Sequence, residues 1–205
     1  MFTGLIREIG RVKSYQNNIL TIQSGHQAKI GDSIAINGVC LTVIKVNDDG
    51  FDLELADETR SIIDESKLQG EVHIEPAMQL DDRFEGHIVQ GHIDCIGEVV
   101  KITSRENGTD FIIKVEPKYI SYIIPKGSIT IDGVSLTIND VYSDSFRLTI
   151  IPHTLRETLI GKYKIKTKIN IETDLFARYI DHILQHRSQK RGMSWDEVDR
   201  IQMSY

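Results

Sequence analysis

Cysteine is scarce in this chain of 205 residues, and its two thiols, Cys40 and Cys95, are too few and too unevenly placed for a disulfide framework. Both are expected to be reduced. Long apolar runs are also absent: no stretch of about 18 apolar residues could cross a bilayer, although 40% hydrophobic residues suffice to build a core. A charged-then-apolar leader is missing, so the expected location is the cytoplasm, with no membrane partner. Basic charge is not in excess. The formal net charge is −6, which argues against a nucleic-acid partner, because neutralising phosphates needs a concentrated basic surface. The stretches 162–168 and 186–191 are read as solvated faces, the first as the alternating Lys and Ile of a half-exposed strand.

What the chain does contain is a repeat. Ile36-Asn37-Gly38-Val39-Cys40-Leu41-Thr42-Val43 returns 95 residues later as Ile131-Asp132-Gly133-Val134-Ser135-Leu136-Thr137-Ile138. Met1-Phe2-Thr3-Gly4-Leu5-Ile6 aligns with Ile88-Val89-Gln90-Gly91-His92-Ile93 at an offset of 87, and Val72-His73-Ile74-Glu75 with Ile169-Asn170-Ile171-Glu172 at 97. Kept order with small offset steps is the mark of a duplicated domain whose loops changed length. The expected organisation is two homologous domains, 1–86 and 87–173, followed by a tail over 174–205. The copies are unequal: Cys40 stands against Ser135, and Leu5 against His92.

Short segments rich in β-branched residues, such as Leu41-Thr42-Val43-Ile44-Lys45-Val46 and Phe146-Arg147-Leu148-Thr149-Ile150-Ile151, are separated by the turn signals Asn37-Gly38, Asn107-Gly108 and Asp132-Gly133. About six short strands in each repeat have too little length for two sheets, so each repeat is predicted to close into a six-stranded, Greek-key-like barrel. The predicted fold class is all-β with a C-terminal helix. From Asp174 the apolar residues Leu175, Phe176, Tyr179, Ile180, Ile183 and Leu184 recur at helical spacing, with Thr173 or Asp174 as cap. Gly192 is predicted to break this helix, and Ser194-Trp195-Asp196-Glu197 to open a second one running through Val198 and Ile201. The stripe of the first helix needs cover, for which a neighbouring subunit is favoured over the chain's own barrels.

No metal is expected. His87 and His92, five apart, would point to opposite faces of a strand, and His92 with Asp94 makes at most a strand-edge pair.

Five motifs in register on this duplicated β domain resemble riboflavin synthases: Met-Phe-Thr-Gly at 1–4, Asn-Gly-x-Cys-Leu-Thr at 37–42, Gly-His-x-x-x-Gly-His-Ile at 86–93, Asp-Gly-x-Ser-Leu-Thr at 132–137 and Ile-Pro-x-Thr-Leu at 151–155. The resemblance covers residues 1 to about 174. It implies a transferase of riboflavin biosynthesis that joins two molecules of 6,7-dimethyl-8-ribityllumazine. A four-carbon unit moves between them, giving riboflavin and 5-amino-6-ribitylaminouracil without cofactor or metal. It also implies a homotrimer with active sites between subunits, and lumazine synthase as a candidate partner protein. Two identical substrates in donor and acceptor roles call for two similar but unequal surfaces, which is what the repeat supplies.

The roles follow from side-chain chemistry. The donor loses a proton from its 7-methyl group, for which His92, Ser135 and Thr137 are the candidates. The acceptor is attacked at C7, by a thiolate at Cys40 or by water, with Thr42 beside it. Lys126 can supply charge to a pyrimidine oxygen or ribityl hydroxyl, and Glu54 can accept from ribityl hydroxyls. By resemblance the pockets are lined by Gly4, Leu5 and Ile6, by Cys40, Leu41 and Thr42, and by Glu54-Leu55-Ala56-Asp57-Glu58-Thr59. Gly91, His92 and Ile93, then Ser135, Leu136 and Thr137, and finally Ile151-Pro152-His153-Thr154-Leu155-Arg156 complete them. Val39 stands where many relatives have a second cysteine, leaving Cys40 as the only thiol of the motif, and Glu54 stands where Asp is common. The rival function is a non-catalytic lumazine or flavin carrier of the antenna type, which would keep the pocket and lose the polar residues retained here. A flavin reductase is a weaker rival, because no Gly-x-Gly-x-x-Gly turn and no length remain for a nicotinamide-binding domain.

Overall fold

Alternation in strands such as β4 (Val39–Asn47) gives each repeat an apolar inner face on which a barrel can close. In β4, Val39, Leu41 and Val43 are buried while Thr42 and Ile44 face out, so one face is core and the other solvent. The computed structural model describes residues 1–189. β4 joins β1 (Glu8–Gln16), β2 (Ile19–Gln23), β3 (Ser33–Ile36), β5 (Gly50–Glu54) and β6 (Gly70–Pro76) in a closed antiparallel barrel of order β1-β2-β5-β4-β3-β6. The second barrel has the same ring order. It is built from β7 (Cys95–Arg105), β8 (Gly108–Lys114), β9 (Ser128–Ile131), β10 (Val134–Val141), β11 (Ser145–Ile150) and β12 (Lys168–Thr173). Closure leaves no sheet edge open. A six-residue helix follows the fifth strand of each, α1 (Asp57–Ile62) in the first and α2 (Pro152–Glu157) in the second. Phe51, Leu53 and Ile74 fill one core; Phe146, Leu148 and Ile171 fill the other.

The hairpins of the repeated octapeptide meet between the barrels. Asn37 and Gly38 have φ of 46° and 81°, Asp132 and Gly133 of 45° and 85°, the left-handed pair a tight two-residue hairpin needs. A Cβ on Gly38 would lie 2.6 Å from the Gly133 nitrogen, which explains why both copies keep glycine there. Around this contact the hydrogen bonds are reciprocal. Asn37 Oδ1 accepts the His73 N–H and Asp132 Oδ1 the Asn170 N–H, at 2.9 and 2.8 Å. Across the interface the His73 ring bonds the Asp132 carbonyl at 2.8 Å, and the Asn170 amide donates to the Asn37 carbonyl at 2.9 Å. Lys67 and Tyr163 complete the shell of the Asp132 carboxylate.

Two expectations change. The stretch 162–168 is not a strand: it leaves a 3-10 turn at Lys162, reverses at Lys166 (φ 75°) and enters β12 only at Lys168. The reversal is held by the Lys166 N–H on the Val99 carbonyl at 2.7 Å, a tertiary bond that strand periodicity does not encode. Nor do His87 and His92 lie on a named strand, since 86–94 is an extended connection with a single bridge at Val89.

The helix after Asp174 forms as predicted, as α3 (Leu175–Gln189), with Asp174 Oδ1 accepting the Phe176 N–H at 2.8 Å. Its stripe is left open, with Phe176, Tyr179, Ile180, Ile183 and Leu184 each more than half exposed. The break at Gly192 and the second helix from Ser194 lie outside the described residues. Among the described residues, no helix is long and apolar enough to cross a membrane.

Candidate functional site

The segments that precede each barrel run between the two barrels and are held there by buried carboxylates. Phe2 and Val89, equivalent positions in the two repeats, exchange backbone hydrogen bonds at 2.8 and 3.1 Å. Glu75 accepts the N–H of Thr3 and of Gly4 at 2.8 and 3.1 Å. Its counterpart Glu172 accepts those of Gln90, Gly91 and His92 at 2.7, 2.8 and 3.1 Å. Burial pushes both carboxyls above the usual range, and the converging amide donors oppose that rise. Neither residue was singled out as functional from the sequence. The available signal was a Glu kept at the same place of an apolar strand in both repeats.

Each segment then crosses to the other repeat. The Cys40 N–H donates to the Gly91 carbonyl at 2.9 Å, and the Ser135 N–H to the Gly4 carbonyl at 2.8 Å. Gly91 and Gly4 have φ of 80° and 79°, and a Cβ on either would stand 2.6 Å from the Cβ of Cys40 or Ser135. Only glycine permits this approach.

The first crossing walls a cleft of about 400 Å³, whose lining includes Cys40, Glu58, Thr59, Gly91, His92 and Ile93. That volume lies within the roughly 300–1,000 Å³ usual for small-molecule sites. Cys40 and His92 therefore share one cleft, whereas the sequence reading assigned them to different barrel surfaces. Burial pushes the Cys40 thiol up, against a hydrogen bond from Ser33 that lowers it, so the thiol form is favoured at neutral pH. Cys95 is buried in the second core, and burial pushes its thiol up to about 12. Both cysteines are free.

The remaining sequence-predicted residues are more dispersed. Thr42 and Glu54 are register partners on β4 and β5, exposed and outside the cleft lining. Leu41 and Leu55 belong to the first core. Ala56 and Asp57 are exposed at the start of α1, whose Glu58 and Thr59 reach the cleft. In the second repeat Ser135 and Thr137 share the outward face of β10, with Leu136 turned toward the core. Ile151 precedes α2, and Pro152, His153, Thr154, Leu155 and Arg156 form it. Leu5 is half-buried, and Ile6 packs on the second core. Lys126 is exposed in a left-handed turn (φ 65°), its N–H on the Ile138 carbonyl at 2.8 Å.

One histidine and one aspartate have partners that spacing did not foretell. His87 is buried, with Nδ1 2.7 Å from Ser135 Oγ and Nε2 3.3 Å from Thr130 Oγ1. Asp94 is not paired with His92: its carboxylate accepts the Thr173 N–H and hydroxyl and meets Arg178 at 3.0 Å. No cluster of three or more metal-ligating side chains occurs among the described residues.

This duplicated geometry has a counterpart in known sequences. The lumazine binding domain family matches the chain twice, over residues 3–77 and 90–174. The riboflavin synthase of Actinobacillus pleuropneumoniae is 44% identical over 193 residues, 90% of each chain. That of Bacillus subtilis is 36% identical over 200 residues, 93% of each. The chain belongs to the riboflavin synthase family. LumP structures share its fold: the complex with riboflavin has a TM-score of 0.76 at 22% identity, and that with 6,7-dimethyl-8-(1'-D-ribityl)lumazine 0.75 at 21%. Each covers 84% of this chain and 99% of LumP. Family membership reaches both crossings, since Gly4, Cys40, Gly91 and Ser135 all fall inside the matched segments.

Proposed function

We propose that this protein is a riboflavin synthase. It takes two molecules of 6,7-dimethyl-8-ribityllumazine, transfers a four-carbon unit from one to the other and releases riboflavin and 5-amino-6-ribitylaminouracil. Family membership over 90% or more of the chain supports the reaction. The observation that carries it is the pair of equivalent crossings, Gly91 on Cys40 and Gly4 on Ser135, which gives one chain two similar surfaces of unequal chemistry. A dismutation of two identical molecules needs that combination.

The half-buried Cys40 favours its thiol form, so water is the better nucleophile for the acceptor, with Cys40 packing beside it. His92 at the first cleft, and Ser135 and Thr137 on β10, supply the polar groups. Thr42, Glu54 and Lys126 serve the ribityl chain and pyrimidine edge. The lumazine-binding units are 1–86 and 87–173, and 174–205 is the assembly tail. The Phe2–Val89 bridge and the Gly38–Gly133 contact fill the space between the barrels. That supports a site in which the facing surface comes from a second subunit of a trimer, with the open stripe of α3 as the seam. Cytoplasmic location and contact with lumazine synthase belong to the same reading.

The test is incubation of the purified protein with the lumazine, followed by riboflavin absorbance in the absence of added metal or cofactor. Formation of riboflavin is expected. Tight binding without turnover would instead make the protein a carrier of the antenna type.

A further inference from the structure

The surroundings of Cys40 and Ser135 differ more than the two residues themselves. Cys40 packs against an apolar cluster of Phe2, Ala35 and Val89. At the place of Ala35 the second repeat has Thr130, the register partner of Ser135 across β9 and β10. A buried imidazole, His87, lies between Thr130 and Ser135, bonded to both. The backbone N–H of His87 donates to the Thr3 carbonyl at 3.2 Å, which ties down the segment, and the two hydroxyls hold the ring. The hydroxyl surface therefore carries a hydrogen-bonded chain through a buried imidazole, whereas the thiol of Cys40 is partnered by the side chain of Ser33.

We propose that His87 is a positioning residue for the donor half of the reaction, acting through Ser135. Nδ1 accepts the Ser135 hydroxyl hydrogen, while Nε2–H is anchored on Thr130 Oγ1. This turns a lone pair of Ser135 Oγ outward to the bound lumazine. When the 7-methyl C–H breaks, its electron pair passes into the heterocycle and its proton to Ser135 Oγ. The hydroxyl's original proton passes to Nδ1, leaving a lumazine anion and an imidazolium. The ring must start neutral. Burial holds its pKa below the ordinary histidine value, and Asp174, the charged group acting on it from the start of α3, pulls the other way. The Thr3 carbonyl accepts the His87 backbone N–H, and the hydroxyls of Ser135 and Thr130 bond the ring. The proposal rests on the riboflavin synthase reading and adds a basic partner for one of its two surfaces.

The test uses two assays on the full chain: riboflavin formation against pH, and exchange of the lumazine 7-methyl protons into deuterium oxide. His87→Phe is expected to lower both rates by roughly 10²-fold or more, the scale of general-base assistance. KM should change little, and the acid limb set by the imidazole should vanish. His87→Asn places an acceptor near Nδ1 that can orient the Ser135 hydroxyl but cannot take its proton, so it should recover part of the loss with the acid limb still absent. Wild-type turnover and an unaltered pH profile in His87→Phe would overturn the proposal. If His87→Phe does not fold, the cycle of His87→Asn with Ser135→Ala decides: His87→Asn should cost nothing further once Ser135 is gone, and additive losses overturn the proposal. Wild-type protein that exchanges the methyl protons yet makes no riboflavin sinks the functional reading alone, with exchange still judging His87. Wild-type protein that does neither sinks both.

Discussion

The Cys40 N–H donates to the carbonyl of Gly91, at 2.9 Å, across the boundary between the two repeats. The bond places His92, next in the chain, at the cleft of the first barrel rather than the second. Complementation between subunits should follow that geometry. Cys40→Trp fills the first cleft, and Ser135→Ala disables the second surface, so mixed oligomers of these two variants should regain activity after subunit exchange. Cys40→Trp mixed with His92→Ala should not, because both lesions fall on one cleft. Recovery in the second mixture, read as riboflavin formed per exchanged oligomer, would place Cys40 and His92 on opposite halves.

Gly91 offers a sharper probe of the crossing. Gly91→Ala meets both a left-handed backbone and a Cβ contact at 2.6 Å with Cys40. Gly31 has φ of 92° but nothing within 4 Å. Gly31→Ala should therefore cost only the backbone term, about 1–2 kcal/mol. Gly91→Ala should cost more and weaken lumazine binding at the first cleft. Urea unfolding and fluorescence titration of the two variants check the contrast.

Cys40 can be judged by pH. A thiolate nucleophile with a burial-raised pKa would make turnover climb on the alkaline side, as the thiol ionises. With water as nucleophile, Cys40→Ala should lose less than about tenfold and keep the wild-type alkaline limb, whereas loss of an essential covalent nucleophile should abolish turnover by that route. Turnover of both proteins measured across pH 7–10 separates these outcomes.

The open face of α3 makes a prediction about assembly. Phe176, Tyr179, Ile180 and Ile183 are each more than half exposed in the single chain, and full burial of such side chains stabilises by about 1.5–3 kcal/mol apiece. Tyr179→Asp with Ile183→Asp should shift the protein toward monomers with the barrels still folded, and activity should fall with assembly. Sedimentation velocity beside circular dichroism reads both quantities. A doubly substituted chain that keeps the wild-type sedimentation coefficient would show that α3 is not the seam.

The barrels were legible in the sequence because their code is local. Val39, Leu41 and Val43 alternate with outward residues, and Asn37-Gly38 and Asp132-Gly133 announce their hairpins. The crossing of 91–93 to Cys40 was not legible, because it depends on which barrel receives an extended segment, and no periodicity encodes that choice. Glu75 and Glu172 were visible as a repeated residue, yet their meaning lies in the amides they gather from more than 70 positions away. His87 and His73 escaped for the same reason, their partners being Ser135 in one case and Asp132 and Leu159 in the other. At 162–168 the alternation was present and misleading, because a bond from Lys166 to Val99 overrides it.

His73 is placed to make the interface sensitive to acid. Its Nε2 accepts the Leu159 N–H at 2.7 Å, which fixes the proton on Nδ1, directed at the Asp132 carbonyl at 2.8 Å. The neutral ring is thus fully satisfied, and a second proton would confront the Leu159 N–H. Burial holds the His73 pKa below its ordinary value; the Asp132 carboxylate opposes that shift and Lys67 reinforces it. The unfolded chain then binds more protons than the folded one once the pH falls below the unfolded value of about 6.5. The stability is present above that pH and is lost as pH falls, by up to about 1.4 kcal/mol per unit. His73→Asn can still donate to the Asp132 carbonyl, as Asn170 does to Asn37, but gives up the acceptor for Leu159. It should cost about 1 kcal/mol at pH 8 and unfold with a shallower loss toward pH 5. His87 persists in both proteins, and its contribution cancels in the difference. Urea midpoints of both chains at half-unit steps check the sign, and parallel curves would remove His73 from the account of acid stability.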